Sequence, residues 1–408
     1  MITTTRITVR ANGSVFHAAA VAGILVATAH ASAFAQSLIP STGWSIAPII
    51  GGWHFATPLK QSGGSVADVA EVAIPFRVQG QWGAWRADLS GAGAYGAVHL
   101  SDGEGSLASI YGPTDTKLRV SRILFDDATM LTVGVNLPSG KVRLSSTETT
   151  ALQVLAAPSL QMPVGMFGTG FGATIGAVHA IHRDDWALAF AAAGEKRSEY
   201  SPIALALSTG VSETRITPGI AAHVSVGYDR TLGANRVSAL LIGDVYGKDQ
   251  LQVGAAASDT SSSYTLGPQI TGSVQYEFGN ADWRQGLIAL GARARTEYTD
   301  ATGKKVAGSS GKYLEAALTT VRGGSLGAGF VLGTDVRWQS GLSFSDALIG
   351  AAMRGVGVTI GVENASLHSA TRFTLHGTYG TFDTGKTRTN GLGVTLGLSV
   401  GGRRETLQ

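Results

Sequence analysis

The sequence predicts an all-β fold: an antiparallel up-and-down transmembrane β-barrel of about sixteen strands, or fourteen if two weak segments fail. Three observations carry this. Apolar residues alternate with small or polar ones in segment after segment, the period of a strand with one greasy face. No stretch after residue 36 is apolar for the roughly eighteen residues that a spanning helix needs, so a membrane-embedded chain has to close a sheet on itself. All seven tryptophans, Trp44, Trp53, Trp82, Trp85, Trp186, Trp283 and Trp338, fall at expected strand ends or turns, where an amphipathic ring meets the headgroup level.

Composition fits a wall better than a solid core. The 408 residues include 56 glycines and only 14% charged residues, against about 25% in soluble proteins. There is no cysteine, which excludes a disulfide scaffold and thiolate metal ligation. The formal charge is +3, of which Arg6 and Arg10 supply two. No basic run exists to neutralise nucleic-acid phosphates, so no nucleic-acid partner is expected.

Residues 1–35 read as a signal peptide. Arg6 and Arg10 form the basic region, Val15 to Ala27 the apolar one, and Ala33-Phe34-Ala35 the cleavage site before Gln36. The barrel then occupies 36–408. Its clearest strand is the last, where Leu392, Val394, Leu396, Leu398 and Val400 alternate with Gly391, Gly393, Thr395, Gly397 and Ser399. Marking every such segment gives strands over 43–55, 69–81, 85–97, 117–125, 129–137, 170–181, 186–200, 214–229, 235–246, 265–278, 284–298, 312–322, 326–338, 347–362, 369–382 and 391–400. Short connections alternate with longer ones, the arrangement of periplasmic turns and external loops.

The longest connection, 138–169, is the third external loop. Residues 147–155 suit a short helix with Ser146 as its cap. From Ala151 to Phe167 no charge occurs, and Leu152, Leu155, Met162, Met166 and Phe167 need an apolar surface to cover. Two placements are open: folded inward as a constriction, or capping the mouth or packing on a partner.

Alternation also assigns the lumen face. If the apolar positions meet lipid, Glu71, Arg77, Arg86, Asp88, Glu195, Arg197, Glu199, Arg215, His223, Asp244, Glu277, Arg293, Arg295, Glu297, Glu315, Asp335, Arg337, Arg372 and His376 point inward, since charge has no cheap place in hydrocarbon. Wall-to-wall ion pairs are one reading of this set. A charged constriction is the other, with Arg293, Arg295 and Arg337 on neighbouring strands as its basic group and Glu297, Asp335, Glu315, Arg86 and Asp88 as further pore-lining candidates. Arg354 and Arg122 fall on the lipid side, and a parity-resetting bulge is expected near Arg354.

Sixteen strands, a long third loop and lumen charges resemble bacterial porins of the Gram-negative outer membrane. The segment 131–140, LTVGVNLPSG, is similar to segments of transporter-like barrels for apolar substrates, including the phenol-degradation and fatty-acid (FadL-type) groups. Porin third loops are usually acidic, whereas this one is apolar. Fatty-acid transporters begin with a plug, whereas the first strand here follows soon after the cleavage site. The resemblance implies an outer-membrane channel or transporter for passive passage of small, moderately apolar or weakly anionic solutes. Its partners are then the lipid bilayer and those solutes, and a homo-oligomer is compatible with the sequence. A structural or surface-binding barrel with a filled lumen is the alternative, and an outer-membrane hydrolase a third.

No catalytic, cofactor or metal residue is expected. The run GMFGTGFG at 165–172 lacks the Lys-Ser/Thr of a phosphate loop. Asp126-Asp127 and Asp184-Asp185 read as turn residues, and His179 and His182 point to opposite faces of a strand.

Overall fold

The computed structural model describes residues 43–61, 64–101, 106–125, 128–157, 160–207, 210–254, 260–280, 284–323, 328–340, 352–364, 371–384 and 388–403. The expected signal peptide, Asp126-Asp127 and Trp283 lie outside the described residues, and the side chain of Arg372 is among those not described.

The wall begins with β1 (Gly43–Ile46) and β2 (Ile49–Gln61), which share one position in the sheet. Pro48 cannot donate to the ladder, so the strand breaks there, while Ala47 N–H still reaches the Pro75 carbonyl. Next come β3 (Gly64–Trp82) and β4 (Trp85–Leu100), joined by a tight turn with Gly83 at φ +55°. Then β5 (Leu107–Pro113) pairs with the upper half of β4, and β6 (Thr116–Leu124) with its lower half. The wall continues through β7 (Thr129–Leu137), β8 (Gly172–His182) and β9 (Trp186–Arg197).

Past β9 two hairpins outgrow the barrel. The segments β10 (Tyr200–Leu207) and β11 (Gly210–Thr217) extend the hairpin of β9 and β12 (Ile220–Leu232). Likewise β14 (Lys248–Gly254) and β15 (Thr260–Thr265) extend that of β13 (Asn235–Tyr246) and β16 (Gln269–Asn280). The four extensions pair into their own sheet on the long-loop side, in the order β10-β11-β14-β15. The barrel is completed by β17 (Arg284–Arg295), β18 (Gly311–Gly323), β19 (Ala328–Gln339), β20 (Met353–Asn364), β21 (Thr371–Asp383) and β22 (Arg388–Arg403).

Every neighbouring pair is antiparallel, and β22 closes the ring onto β1 (Trp44↔Gly402) and β2 (Gly52↔Val394). The result is the expected closed barrel of sixteen strands. Its outside is a belt of exposed aliphatics: Phe330 54%, Leu332 50% and Val336 53% on β19, with Val356 52%, Ile360 53% and Val362 43% on the adjoining β20. A water-soluble wall would hide such residues; a lipid-facing one needs them. Trp44, Trp82 and Trp85 are exposed near the short-turn end, as a headgroup-level girdle requires.

Three expectations about the wall are corrected. Trp53 lies in mid-β2, only 8% exposed, on the inner face, because the strand runs six residues further than its alternation suggested. No bulge resets the parity of β20: its register with β19 and β21 is unbroken, and Arg354 is the second residue of the strand, across from Trp338 and Asp383. Its lipid-side position is therefore at the rim, where a long cationic side chain reaches water. Arg122 is likewise near a strand end, its guanidinium 5.3 Å from the centroid of the Trp85 ring. Finally, β17 stops at Arg295, so Glu297 belongs to the loop above the wall, where its carboxylate accepts the Gly308 N–H at 3.1 Å.

Candidate functional site: the inner wall and the third loop

The loop after β7 carries the helix α1 (Ser146–Leu155), capped by Ser145 one residue before the expected position. Ser145 Oγ accepts the Glu148 N–H at 3.3 Å, and the Glu148 carboxylate accepts the Ser145 N–H at 3.0 Å, a reciprocal capping box. Lys141 pairs with the same carboxylate. Burial pushes the Glu148 carboxyl up, but Lys141 and Ser145 outweigh it and hold the group below its ordinary value.

One face of the helix and the chain that follows pack on the inner wall. Leu152, Leu155, Leu160, Met162 and Phe167 are buried in one cluster with Trp53, Val69, Val98, Ile110 and Phe382 of the strands. Trp53 Nε1 donates to the Leu160 carbonyl at 2.9 Å, and its ring meets Phe382 edge-on with centroids 5.0 Å apart. The seat is cut by glycine: a Cβ on Gly96 would stand 2.3 Å from Leu155 Cδ1, and one on Gly51 3.7 Å from Pro163. Between these glycines on β3 sits Glu71, paired in register with both and fully buried. Met166 departs from the expected set, being 44% exposed and outside the cluster.

Asp115, in the break between β5 and β6, ties both ends of the loop. Its carboxylate accepts from Asn136 Nδ2 at 2.8 Å and the Gly140 N–H at 3.0 Å on the outgoing side, and from the Thr169 N–H at 2.7 Å on the return. Gly140 is required by this closure, since a Cβ there would lie 2.2 Å from the Phe167 carbonyl oxygen. Sequence reasoning passed over Asp115 because nothing near it in the chain marks it; its partners lie 21 to 54 residues away.

The remaining inner wall is charged, and part of it is reached by water. The side chains of Arg77 and Asp88 are 16% and 14% exposed, and Glu195 is 30% exposed. Arg77 Nε binds Asp88 Oδ2 at 2.5 Å, and Gln79 donates to the same oxygen at 2.8 Å. Arg86 lies in the electrostatic field of Arg77, Asp88 and Arg119. Across the barrel strands, His223 Nδ1 meets Asp244 Oδ1 at 2.7 Å, and its Nε2 is 3.6 Å from Glu195, which also faces Arg197 at 3.4 Å. Among the described residues no group of three or more such side chains has the geometry to hold a metal ion.

The three arginines singled out in the sequence do share neighbouring strands, but not as a bare cationic patch. Arg293 stands 5.9 Å from the Tyr313 ring, and the Tyr313 hydroxyl donates to Glu315 at 2.8 Å. Glu315 is directly across from Arg337, which pairs with Asp335 at 2.7 Å. Arg295 is 8% exposed, opposite Gln269. Arg337 and Asp335 also border the loop's seat, lining a small cleft with Trp53, Phe382 and Gly355. The sequence reading missed Lys117 and Arg119, which the register of β6 places inward beside Ser90 and Asp88. The parity of that strand was the available signal, obscured by Arg122 on its other face.

No protein-family model and no curated protein sequence matches the chain. Solved structures similar to it include outer-membrane proteins. The channel DcaP of Acinetobacter baumannii aligns at 10% identity and TM-score 0.42 over 88% of this chain and 96% of that one. Pseudomonas aeruginosa OccK2 (OpdF), solved with glucuronate, aligns at 11% and 0.42 over 90% and 100%. A loop-deletion variant of OmpT, an outer membrane protein of Vibrio cholerae, aligns at 11% and 0.38 over 89% and 100%. With scores this low, the assignment rests on the wall: a closed ring of hydrogen-bonded strands, aliphatic outside and charged inside, with tryptophans at its rim. The chain is an outer-membrane β-barrel.

Proposed function

We propose that the barrel is a channel for passive passage of small solutes, with the loop 138–169 as its constriction. The observation that carries this is the division of the inner wall. One sector is apolar and covered by the loop; the other holds charged side chains that water reaches. A solute passing between them meets an apolar edge and a polar wall, which favours moderately apolar or weakly anionic molecules. Arg86, Asp88, Arg293, Glu315 and Asp335 belong to that wall, with Arg295 and Arg337 buried behind it. Planar-bilayer recording of the purified protein tests the reading. Discrete conductance steps are expected, and deletion of 147–163 should enlarge them. A protein that inserts but gives no steps has a filled lumen and serves a structural or surface-binding role. Steps of unchanged size after the deletion would remove the loop from the conducting path.

A further inference from the structure

The chain that follows helix α1 lies against the inner wall with one side and leaves the other uncovered. Leu160, Met162, Val164 and Phe167 are buried in the cluster shared with the strands. Among the described residues of 156–168, only Gln161 and Met166 are exposed. Since the wall is on the buried side, their exposed sides look into the interior of the ring. The depth is fixed by two contacts. Trp53 Nε1 holds the Leu160 carbonyl at 2.9 Å, and Pro163 lies over Gly51. Trp53 and Gly51 are in the middle of the first wall position, 43–61, so the segment is at mid-height and not at the mouth.

The backbone at both positions is held on either side. Gln161 has φ +52°, in the left-handed region that a side chain beyond glycine rarely adopts. Its neighbours impose this: Leu160 and Met162 are 1% and 4% exposed, and the Leu160 N–H donates to the Ala157 carbonyl at 3.0 Å. Glycine would make the same turn without strain, so the turn alone does not call for glutamine. Residues held in such conformations cluster where a side chain has to be presented. Met166 is flanked by Gly165, whose absent Cβ would stand 3.4 Å from Ala156 Cα, and by Phe167. The Phe167 carbonyl accepts the Asp115 N–H at 2.9 Å, and its ring is 1% exposed.

From Ala151 to Phe167 the loop carries no charge. Its uncovered edge therefore offers an amide, which donates and accepts, and a flexible, polarizable thioether. Such an edge sorts solutes by size and by contact with apolar surface, and leaves sorting by charge to the polar wall. We infer that Gln161 and Met166 form the lumen edge of the constriction and set its size limit without selecting for charge. The inference rests on the loop being the constriction of a channel and names the side chains that do the sorting.

The sequence contains no cysteine, so a single introduced thiol is the only target of a thiol reagent. Gln161→Cys and Met166→Cys, recorded in planar bilayers, should each lose conductance on treatment with sulfonate-bearing or trimethylammonium-bearing methanethiosulfonate. The sulfonate should shift the reversal potential towards cation selectivity, and the ammonium towards anion selectivity. Lys312→Cys, exposed on the outward face of β18, should react without a change in current. Gln161→Gly keeps the turn without strain, so its loop should resist proteolysis as in the unaltered protein while larger polyethylene glycols enter the pore. Met166→Ala should admit larger polymers as well. Each position stands or falls by its own variants. A conducting protein in which neither thiol variant responds to the reagents, or in which both smaller side chains leave the polymer cut-off unchanged, overturns the inference and keeps the channel. An unaltered protein that inserts without conductance steps overturns the channel and the inference with it.

Discussion

Asp115 carries more of this architecture than any residue whose charge is conspicuous in the sequence. It is 7% exposed, and its carboxylate takes donors from the strand before the loop, the loop's first turn and the loop's return. Removing it leaves the part-buried amides of Gly140 and Thr169 without their acceptor, each costly to leave unpaired. Asp115→Ala should therefore release the loop at its base by about 3 kcal/mol, leaving the barrel closed. Faster proteolysis within 138–169, with the heat-dependent gel mobility of the barrel preserved, is the expected result. A loop as resistant as in the unaltered protein would assign its anchoring to the apolar seat alone. That seat works through absences as well as side chains. Leu155 enters because position 96 has no Cβ, and nothing in the alternation of β4 distinguishes Gly96 from the other glycines of the wall.

At the scale of the element, helix α1 is too short to persist without its cap and its packing. The cap depends on an ionised Glu148, whose carboxyl in the folded protein lies below its ordinary value of 4.5. A depressed acid group contributes stability that is fully present above the unfolded value and is lost as pH falls through the folded one. The helix should hold from neutrality down to about pH 4.5 and loosen only below it. Current noise measured against pH should rise in that acidic window, and Glu148→Gln should show the same noise at neutral pH without further change on acidification. Noise that grows between pH 7 and pH 5 would point to a different group. The strands illustrate the opposite dependence. Their extents follow from partners and not from local preference: β2, β3 and the extensions β10, β11, β14 and β15 continue beyond the alternating stretch because a neighbouring strand is there to accept their hydrogen bonds.

For the whole molecule, the belt sets where charge is tolerated. Ile360, midway along β20 on the outer face, meets hydrocarbon, so Ile360→Arg should cost about 2–4 kcal/mol of stability in vesicles. Arg354→Leu, six residues nearer the rim on the same face, should change it by less than about 1 kcal/mol. Reversible denaturation into lipid vesicles measures both, and equal costs would mean that the belt is misplaced. The sequence alone determined the barrel class, the strand number, the inward or outward face of most charged residues and the presence of a short capped helix in an apolar loop. Each of these follows from local pattern, because period-two alternation and the price of charge in lipid act residue by residue. Only the tertiary structure decided the ring's closure, the loop's seat on Gly51, Gly96 and Trp53, the clamp at Asp115 and the meeting of Arg86, Arg119 and Asp88. Those depend on register, which brings together residues far apart in the chain, and a shift of one residue would turn every one of them to the opposite face.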